Sequence, residues 1–180
     1  MIFGTLGSAE SNHAMVLQRY LRHQALTDAE IIYFDDFLEA FEALTSGTID
    51  FCLQVSVHPQ HAECIARYVN RVFIVDTFIA ASKPLGILSR IAVAVPQTIA
   101  LQPATRHYAD LSRWPTQIDE TSITSVADGL LSGRYDAGLV SMELLDLYPN
   151  KLKLEFEIGP IEDAWILFGR EASSQRALLP

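Results

Sequence analysis

The sequence predicts an α/β protein of two small lobes, each built on a mostly parallel β-sheet with flanking helices, with a cleft between them. Short apolar runs alternate with longer segments of helical period along most of the chain, a pattern that is typical of crossover βα units. At 180 residues, the chain is too short for two independent domains of ordinary bulk. We therefore expect a single interdependent unit that is made of two lobes.

In the first part of the chain, strands and helices are predicted to alternate regularly. Strands are predicted at residues 2–6, 31–34 and 50–55, and helices at residues 11–24, 37–46 and 60–69. The helix at 37–46 carries an apolar face of Phe37, Leu38, Phe41 and Leu44. Gly47 follows it at the position where many helices end in a left-handed residue.

The second part of the chain is predicted to contain further extended segments and a second βα series. Extended segments are predicted at residues 72–80, 85–88, 91–95, 116–119, 137–140, 152–158 and 165–168, and helices at residues 104–112, 124–131 and 142–147. Pro96 would end the strand at 91–95, because proline cannot donate to a β-ladder. Residues 171–180 are expected to form a loose tail or a terminal helical turn.

The lobes are predicted to be joined by two crossings, because two crossings form a hinge around a cleft. These crossings are placed at residues 76–82 and near Ile158. Lobe 1 would comprise residues 1–80 and 159–180, and lobe 2 residues 81–158. The sequence shows no evident internal repeat.

Composition and charge restrict the class of partner. The formal charge is −9, from 13 Lys and Arg against 22 Asp and Glu, which disfavours nucleic acid and anionic membranes. A small anion remains compatible, because a few basic groups in a cleft of low dielectric outweigh a distant surface charge. Cys52 and Cys64 form no CxxC pair, and no basic segment with a long apolar stretch opens the chain. We expect a cytoplasmic protein.

The first candidate for ligand binding is the turn between the first strand and the first helix, residues 7–13 (GSAESNH). A helix start offers backbone amides and a positive dipole end to an anion. Ser8 and Ser11 are therefore candidate carboxylate ligands. The alternative for Ser11 is that its side chain only caps the helix.

The second candidate is the loop at residues 54–61 (QVSVHPQH), which follows the third predicted strand. Open α/β sheets usually present ligand groups at this end of a strand. His58 is the candidate acid or base, because the pKa of histidine lies near neutral pH. No metal site is predicted, because no third acidic or thiolate ligand accompanies His58 and His61.

The third candidate is the hydroxyl cluster at residues 121–125 (TSITS), which precedes a predicted helix. Ser122 and Thr124 could bind a carboxylate while the cluster caps the helix, and capping alone is the alternative. Four basic residues near the predicted lobe boundary could pair with a substrate carboxylate or be solvated surface charges: Lys83, Arg90, Arg106 and Arg170. Motifs of nucleotide-binding proteins, serine hydrolases and zinc hydrolases are absent from the sequence.

The order of these segments resembles the prephenate dehydratase family, and more closely its prephenate decarboxylase branch of bacilysin-type antibiotic pathways. Residues 5–11 (TLGSAES) resemble the family's first strand and Leu-Gly-Pro-x-Gly-Thr turn, with Ser11 in place of the threonine. Residues 43–51 (ALTSGTIDF) resemble the helix and strand before the substrate loop. That loop reads VSVHP at residues 55–59, where dehydratases have Pro-Ile-Glu-Asn-Ser. Residues 121–127 (TSITSVA) resemble a Ser/Thr-rich turn before a helix of the second lobe.

Residues 161–170 (IEDAWILFGR) discriminate within the family. Dehydratases carry a Thr-Arg-Phe signature here, whose threonine acts on the leaving hydroxyl and whose arginine acts on a carboxylate. This chain has Ala164 and Trp165 instead, so the proton donor for dehydration and a charge clamp are both absent. Dehydratase activity is therefore not expected. The Trp-x-Leu-Phe-Gly-basic ending resembles the decarboxylase branch, which removes the ring carboxylate, retains the hydroxyl and does not aromatise the ring.

The resemblance implies a periplasmic-binding-protein-like type II fold and a cofactor-independent lyase that acts on prephenate or a related small carboxylate in secondary metabolism. Together with the candidate segments above, the resemblance gives the residues predicted to act in catalysis or substrate binding: His58, Ser8, Ser11, Ser56, Ser122, Thr124 and Trp165. Among these, His58 and Ser11 are predicted to be catalytic, with His58 donating a proton after carbon dioxide leaves. A homodimer is expected, and no metal or other cofactor.

Two other classes of function stay open at this point. A non-catalytic protein could bind a small anion in the same cleft, and the missing Thr-Arg pair favours this alternative. An interaction protein within a biosynthetic cluster is the third alternative.

Overall fold

The computed structural model describes residues 1–172, which form two compact units. Unit 1 comprises Met1–Ala81 and the segment that starts at Glu162, and unit 2 comprises Ser82–Ile161. The chain therefore passes between the units twice, after Ala81 and after Ile161. The tail predicted at residues 171–180 lies mostly outside the described residues.

Unit 1 is a five-stranded sheet with helices on both faces. Its strands, labelled in order along the whole chain, are Ile2–Leu6 (β1), Glu30–Phe34 (β2), Phe51–Val55 (β3), Phe73–Ala81 (β4) and Glu162–Gly169 (β10). Its helices are Asn12–His23 (α1), Phe37–Ser46 (α2) and His61–Arg67 (α3). The strand order is β2-β1-β3-β10-β4. β1, β2 and β3 are parallel, and β10 is antiparallel to both of its neighbours, so every strand except β10 points the same way.

Unit 2 repeats this arrangement with a different set of strands. Its strands are Leu85–Arg90 (β5), Thr98–Leu101 (β6), Thr116–Asp119 (β7), Ala137–Ser141 (β8) and Leu152–Gly159 (β9), and its helices are Ile123–Ser132 (α4) and Glu143–Leu147 (α5). The strand order is β7-β6-β8-β5-β9, and only β5 is antiparallel to its neighbours. The predicted α/β class with mostly parallel sheets is therefore confirmed.

The core of unit 1 has two layers because side chains alternate between the faces of a strand. On one face, Cys52 and Phe168 pack against α2 and α3, and on the other face, Leu53 and Leu167 pack against α1. These four side chains are buried. α1 and α2 are therefore held on opposite faces of one sheet, and both begin at the carboxyl ends of parallel strands.

The core of unit 2 is divided in the same way. Leu88 and Val140 pack against α4 on one face. Ile87 and Leu139 face the opposite side. On that side the sheet is covered by Leu111 and Trp114 from irregular chain, in place of a long helix. The two faces of this sheet thus have different types of cover.

An internal repeat, which was not evident from the sequence, becomes clear from the common strand order. Residues 44–50 (LTSGTID) and 130–136 (LLSGRYD) both join the end of a helix to the start of a central strand. Gly47 and Gly133 end their helices with positive φ angles of 85° and 81°, a conformation that glycine adopts without strain. The expectation that the chain has no repeat was therefore wrong.

The repeat extends to an arginine at or directly after the end of the antiparallel strand of each sheet. Arg170, after β10, pairs with Asp50 in unit 1, and Arg90, at the end of β5, pairs with Asp136 in unit 2. Asp50 accepts a hydrogen bond from the backbone N–H of Ile2, and Asp136 accepts bonds from the residues that open β6. Sequence comparison alone hides this correspondence because β10 belongs to unit 1 but comes last in the chain.

Two predicted elements of unit 2 are wrong. Residues 91–95 form turns and not a strand, and Ile91 and Val95 are exposed. The strand β6 instead begins after Pro96, where Asp136 accepts hydrogen bonds from the amides of Gln97 and Thr98. An apolar run was thus mistaken for a buried strand.

The helix predicted at residues 104–112 is a short 3₁₀ turn at Pro103–Thr105 followed by irregular chain. The carboxylate of Asp110 accepts a hydrogen bond from the amide of Ser112, which favours a turn over a continuing helix. Leu111 is buried without the helical period that the prediction assumed.

Candidate functional site

The carboxyl ends of the parallel strands of unit 1 bring three predicted segments to one edge of the sheet. β1 ends at Leu6 and β3 ends at Val55, and the chain then turns into α1 and α3 respectively. β10 runs the other way, so its first residues lie at the same edge, where Trp165 pairs with Val55. Ligands bind at this end of the strands in open α/β sheets. We call residues 7–13, 54–61 and 162–165 the candidate site.

The turn at residues 7–13 has a backbone that requires glycine at its first position. Gly7 has a φ of 92°, and a Cβ at this position would lie 2.9 Å from the Cβ of Ser11. The missing side chain lets Ser11 approach the end of β1. The first turn of α1 contains no acidic residue, so nothing in that turn neutralises the positive end of the helix dipole.

The hydroxyl group of Ser11 is engaged within this turn. Its oxygen accepts a hydrogen bond from the amide of Ala14 at 3.1 Å, and its proton is donated to the carbonyl of Leu6 at 3.2 Å. Ser11 is thus the N-cap of α1, as the capping alternative predicts. The hydroxyl of Ser8 donates to the carboxylate of Glu10 at 2.9 Å. Neither hydroxyl proton is available to a ligand in this arrangement.

Two histidines from different segments meet at the candidate site. The rings of His13 and His58 are 6.4 Å apart and nearly perpendicular. His13 also lies edge-on to Trp165 at 5.1 Å, and Phe37 lies 5.5 Å from His13 and 4.8 Å from His58. The Nε2 atom of His13 is buried and has no hydrogen-bond partner within residues 1–172. This orphaned nitrogen is the strongest sign of an unsatisfied polar group at this edge.

Hydrogen bonds determine which nitrogen of His58 carries the proton. The backbone N–H of Gln60 donates to Nδ1 of His58 at 3.2 Å. Because an N–H group can only donate, the His58 ring is neutral and has its proton on Nε2. The side-chain oxygen of Gln60 accepts from the amide of Phe37, so Gln60 joins the His58 loop to the start of α2. The Nε2–H group of His58 is therefore a positioned donor.

The neighbouring His61 has the opposite tautomer. Its Nδ1 lies 2.8 Å from the side-chain oxygen of Gln54, which can only accept. The ring of His61 therefore carries its proton on Nδ1 and has a lone pair on Nε2. His58 and His61 together provide a hydrogen-bond donor and a base.

Burial keeps the histidines of this edge neutral. Burial, with a smaller contribution from the charge of His58, lowers the pKa of His13 to about 3. Burial also lowers the pKa of His58, against the opposing charge of Asp36, and it lowers the pKa of His61. At neutral pH the site therefore presents polar but uncharged imidazoles.

The segment that carries the family signature lies beside the His58 loop. The amide of Ser56 donates to the carbonyl of Ala164 at 2.9 Å. Trp165 is fully buried and donates its indole N–H to the carbonyl of Ala80. Trp165 thus supports the ring of His13 from within the core of unit 1, and its contact with a ligand stays a prediction, as does that of Ser56.

The hydroxyl cluster of unit 2 caps a helix. The Oγ atom of Ser122 accepts from the amide of Ser125 at 3.0 Å and lies 3.0 Å from the hydroxyl of Ser125. Thr121 lies 3.3 Å from the same hydroxyl, and Thr124 is exposed. Because the first turn of α4 contains no acidic residue, its dipole end is as uncompensated as that of α1. Carboxylate binding by Ser122 and Thr124 stays a prediction.

The four basic candidates are all paired with acids of their own units. The ion pairs are Lys83 with Glu143, Arg90 with Asp136, Arg106 with Asp119, and Arg170 with Asp50. A carboxylate ligand would have to compete with these acids for a cation. Helix dipoles, amides and imidazoles are therefore the groups that this site offers to an anion.

His13 is the site residue that the sequence prediction left out. It belongs to the predicted turn segment, but no role was assigned to it. A signal was available, since His13, Leu17 and Leu21 follow a helical spacing and Leu17 and Leu21 are buried. A polar residue in line with the buried face of a helix at the ligand-binding edge of a sheet indicates a functional position.

Residues 1–172 contain neither a metal-binding cluster nor a membrane-spanning helix. Groups of three or more His, Cys, Asp or Glu side chains that could hold a metal ion do not occur there. Within the same residues, none of the helices combines the length and the apolar character needed to cross a bilayer.

Comparison with known proteins shows the fold but not a family. No family model and no curated protein matches the chain. Among solved structures, prephenate dehydratase from Arthrobacter aurescens in complex with L-Phe matches with a TM-score of 0.69 at 17% identity, over 96% of this chain and 61% of that chain. This chain thus spans about three fifths of the dehydratase.

Binding proteins match as well, at lower scores. The periplasmic aliphatic sulphonate binding protein SsuA from Escherichia coli has a TM-score of 0.53 at 13% identity, over 94% of this chain and 64% of that chain. The GluR0 ligand binding core in complex with L-glutamate has a TM-score of 0.55 at 14% identity, over 97% of this chain and 86% of that chain. The strand orders and these matches establish a periplasmic-binding-protein-like type II fold.

Proposed function

We propose that this protein binds a small organic carboxylate at the candidate site of unit 1. The observation that carries the proposal is the meeting of His13, with its orphaned Nε2, and His58, with its positioned Nε2–H, beside the start of α1. The first turn of α1 contains no acid, although Glu10 precedes its N-cap, so the helix dipole attracts an anion and a directed N–H group orients it. Proteins of the same fold were solved with L-Phe and L-glutamate, which are both small carboxylates.

Binding of an anion should take up protons. A carboxylate close to His58 favours the imidazolium form and raises its pKa from the lowered value of the free protein. By linkage, the affinity for the anion should therefore increase as the pH falls toward that pKa. Thermal-shift screening against carboxylates of aromatic metabolism would find ligands, because a bound ligand stabilises the folded state. Calorimetry in two buffers of different ionisation enthalpy would then measure the proton uptake.

The specific reaction that we propose is decarboxylation of prephenate or a related acid. The departure from the dehydratase signature at Ala164 and Trp165 supports this proposal, and so does the loop around His58. In the reaction, the bond between the ring and its carboxylate breaks, carbon dioxide leaves, and a ring carbon takes up a proton. His58 would hold the substrate carboxylate through its Nε2–H group while the ring hydroxyl is retained.

The direct test is incubation of the pure protein with prephenate, followed by measurement of released carbon dioxide. His58→Ala should lower kcat/KM roughly 10- to 150-fold, because a hydrogen bond to a charged group contributes about 1.5–3 kcal/mol. His23→Ala is the matched control, since His23 is exposed in the last turn of α1. It should retain full activity.

The possible outcomes separate the two levels of the proposal. Stabilisation by a carboxylate without turnover would leave a non-catalytic binding protein and reject the lyase. A lack of both stabilisation and turnover with every carboxylate tested would reject the binding site as well and favour an interaction protein.

A further inference from the structure

Asp163 lies at the candidate site but belongs to none of its predicted residues. It is the second residue of β10 and pairs with Ala80 of β4, two positions before Trp165. Residues two apart on a strand share a face and are separated by about 6.6–6.8 Å. Asp163 therefore projects on the same face as Trp165, which contacts the ring of His13. Because Trp165 pairs with Val55, the last residue of β3, Asp163 lies beyond the carboxyl end of that strand.

The side chain opposite Asp163 leaves space around its carboxyl group. Across the strand pair it faces Ala80, whose side chain is a single methyl group. On the other side of β10, the amide of Ser56 bonds to the carbonyl of Ala164, so the loop that carries His58 runs directly beside this part of the strand. On the same face of the sheet, the ring of His13 contacts Trp165, and His58 follows Ser56 on the neighbouring loop.

The carboxyl group of Asp163 differs from the paired acids of the protein. Asp50, Asp136 and Glu155 form ion pairs and accept further hydrogen bonds, and their pKa values are lowered. Within residues 1–172 no ion pair or hydrogen bond involves the carboxyl group of Asp163. Asp163 is half-buried, and this burial raises the pKa of its carboxyl group. A carboxyl group that is partly desolvated and unpaired retains its proton more readily than a surface aspartate.

The other candidate proton donors of the site are engaged. Ser11 donates its hydroxyl proton to Leu6, and Ser8 donates to Glu10. His58 accepts a hydrogen bond on Nδ1 and so is held as the neutral ring, which is a far weaker acid than a carboxylic acid. This describes the protein without ligand, and in the proposed complex the Nε2–H group of His58 holds the substrate carboxylate, so another group has to deliver the proton to the ring.

We propose that Asp163 is the proton donor for the proposed decarboxylation, and this inference rests on that proposed function. When the carbon–carbon bond to the leaving carboxylate breaks, its electron pair shifts into the ring diene and carbon dioxide departs. The carboxylic acid of Asp163 then transfers its proton to the ring carbon that has received the electron pair. Asp163 becomes a carboxylate and takes a new proton from water, so each turnover consumes one proton.

The test replaces the acid by its uncharged isostere. Asp163→Asn should lower kcat for carbon dioxide release by roughly 100-fold or more, the usual contribution of a positioned general acid. Its Kd for prephenate, measured by calorimetry, should change less than about threefold, because the substitution preserves size and removes no hydrogen bond. Asp28→Asn is the matched control, because Asp28 is an exposed aspartate of unit 1 outside the candidate site, and it should behave as wild type.

The pH profile gives a readout that a structural role would not change. With Asp163 as acid, kcat should fall as the pH rises through the pKa of this group, and Asp163→Asn should lose that dependence. Turnover by wild type with unchanged kcat and pH profile in Asp163→Asn would overturn the role of Asp163 alone. Absence of turnover in wild type would overturn the proposed lyase, and the role of Asp163 with it.

Discussion

His13 shows how packing controls the charge of a residue at the candidate site. Aromatic rings of Phe37 and Trp165 surround it together with His58, and none of these contacts supplies a counter-charge. Protonation of His13 would therefore place a cation in an environment that cannot solvate it. A neutral His13 can recognise an uncharged polar group of a ligand. A charged His13 would instead compete with His58 for the carboxylate of the ligand.

This burial should make the protein less stable in acid. The pKa of His13 is about 3 in the folded state against the ordinary histidine value of 6.5, so the unfolded chain binds the proton more tightly. The stability is fully present above pH 6.5 and is lost as the pH falls toward 3, at up to about 1.36 kcal/mol per pH unit. At pH 5 the loss from this residue should approach about 2 kcal/mol.

Urea unfolding between pH 7.5 and pH 5 would measure this effect. His13→Gln should show a weaker decrease of the free energy of unfolding than wild type, although His58 and His61 will leave a residual slope in the same direction. His107→Gln, at an exposed position of unit 2, should follow the wild-type slope. Equal slopes in wild type and His13→Gln would contradict a buried, neutral His13.

At the residue scale, sequence reasoning located the segments of the site better than the roles of their side chains. The loop with His58 and the turn with Ser11, both proposed as candidate segments from the sequence, lie at the same edge of the sheet because β1 and β3 are parallel neighbours. The tautomer of His58 depends on a hydrogen bond from Gln60, and the burial of His13 depends on Trp165, which is far away in sequence. These two contacts are set by the tertiary fold and leave no local pattern, although the helical spacing of His13 with Leu17 and Leu21 does indicate which face of α1 carries His13.

At the scale of elements, the Ser-Gly-x-x-Asp turn that occurs in both units fixes the amino-terminal ends of parallel strands, opposite to the ends where ligands bind in this kind of sheet. In unit 2, Asp136 accepts hydrogen bonds from the amides of Gln97 and Thr98 and from Arg90. Burial alone would raise its pKa, but these hydrogen bonds outweigh burial and lower it. The turn thereby determines where β6 begins, although an apolar run at 91–95 precedes it.

Loss of this carboxylate should destabilise unit 2 more than the equivalent change destabilises unit 1. Asp136→Ala should cost about 2–3 kcal/mol, because the amides of Gln97 and Thr98 and the guanidinium of Arg90 lose their acceptor. Asp50→Ala should cost only about 1–2 kcal/mol, since the Asp50 side chain is 39% exposed against 21% for Asp136 and bonds one strand amide.

Urea unfolding at pH 7 would rank these variants against a surface control. Asp128→Ala, on the exposed side of α4, should stay within about 0.5 kcal/mol of wild type. A cost for Asp136→Ala no larger than that of the control would show that the turn does not stabilise the start of β6.

Two element predictions failed at places where hydrogen bonds of polar side chains, rather than the spacing of apolar residues, determine the backbone conformation. The run at 91–95 is apolar but follows Arg90 at the end of β5 and carries exposed Ile91 and Val95. The run at 104–112 has helix-forming residues, but a 3₁₀ turn and the Asp110 turn stop them from forming a helix. Strands such as β1 and β3 were predictable because their burial follows from composition alone.

At the scale of the whole molecule, the chain builds one topology twice and exchanges no strand between the two sheets. All five strands of the second sheet lie within Ser82–Ile161, whereas the first sheet needs both flanking segments of the chain. Each unit has its own two-layered core. Each unit therefore contains the apolar clusters that a folding domain needs.

The register of β4 and β10 suggests how unit 1 could fold without unit 2. These two antiparallel strands are neighbours, and Ala81, the last residue of β4, pairs directly with Glu162, the first residue of β10. A two-residue Asn-Gly turn matches the twist of such a strand pair. Replacement of residues 82–161 by Asn-Gly should therefore close a β-hairpin and give a folded unit 1, with a single cooperative urea transition and a dispersed amide NMR spectrum. It should keep the His13 and His58 contacts, so the ring protons of these two residues should titrate below the ordinary pKa of histidine. A chain without a cooperative transition would show that the core of unit 1 depends on unit 2.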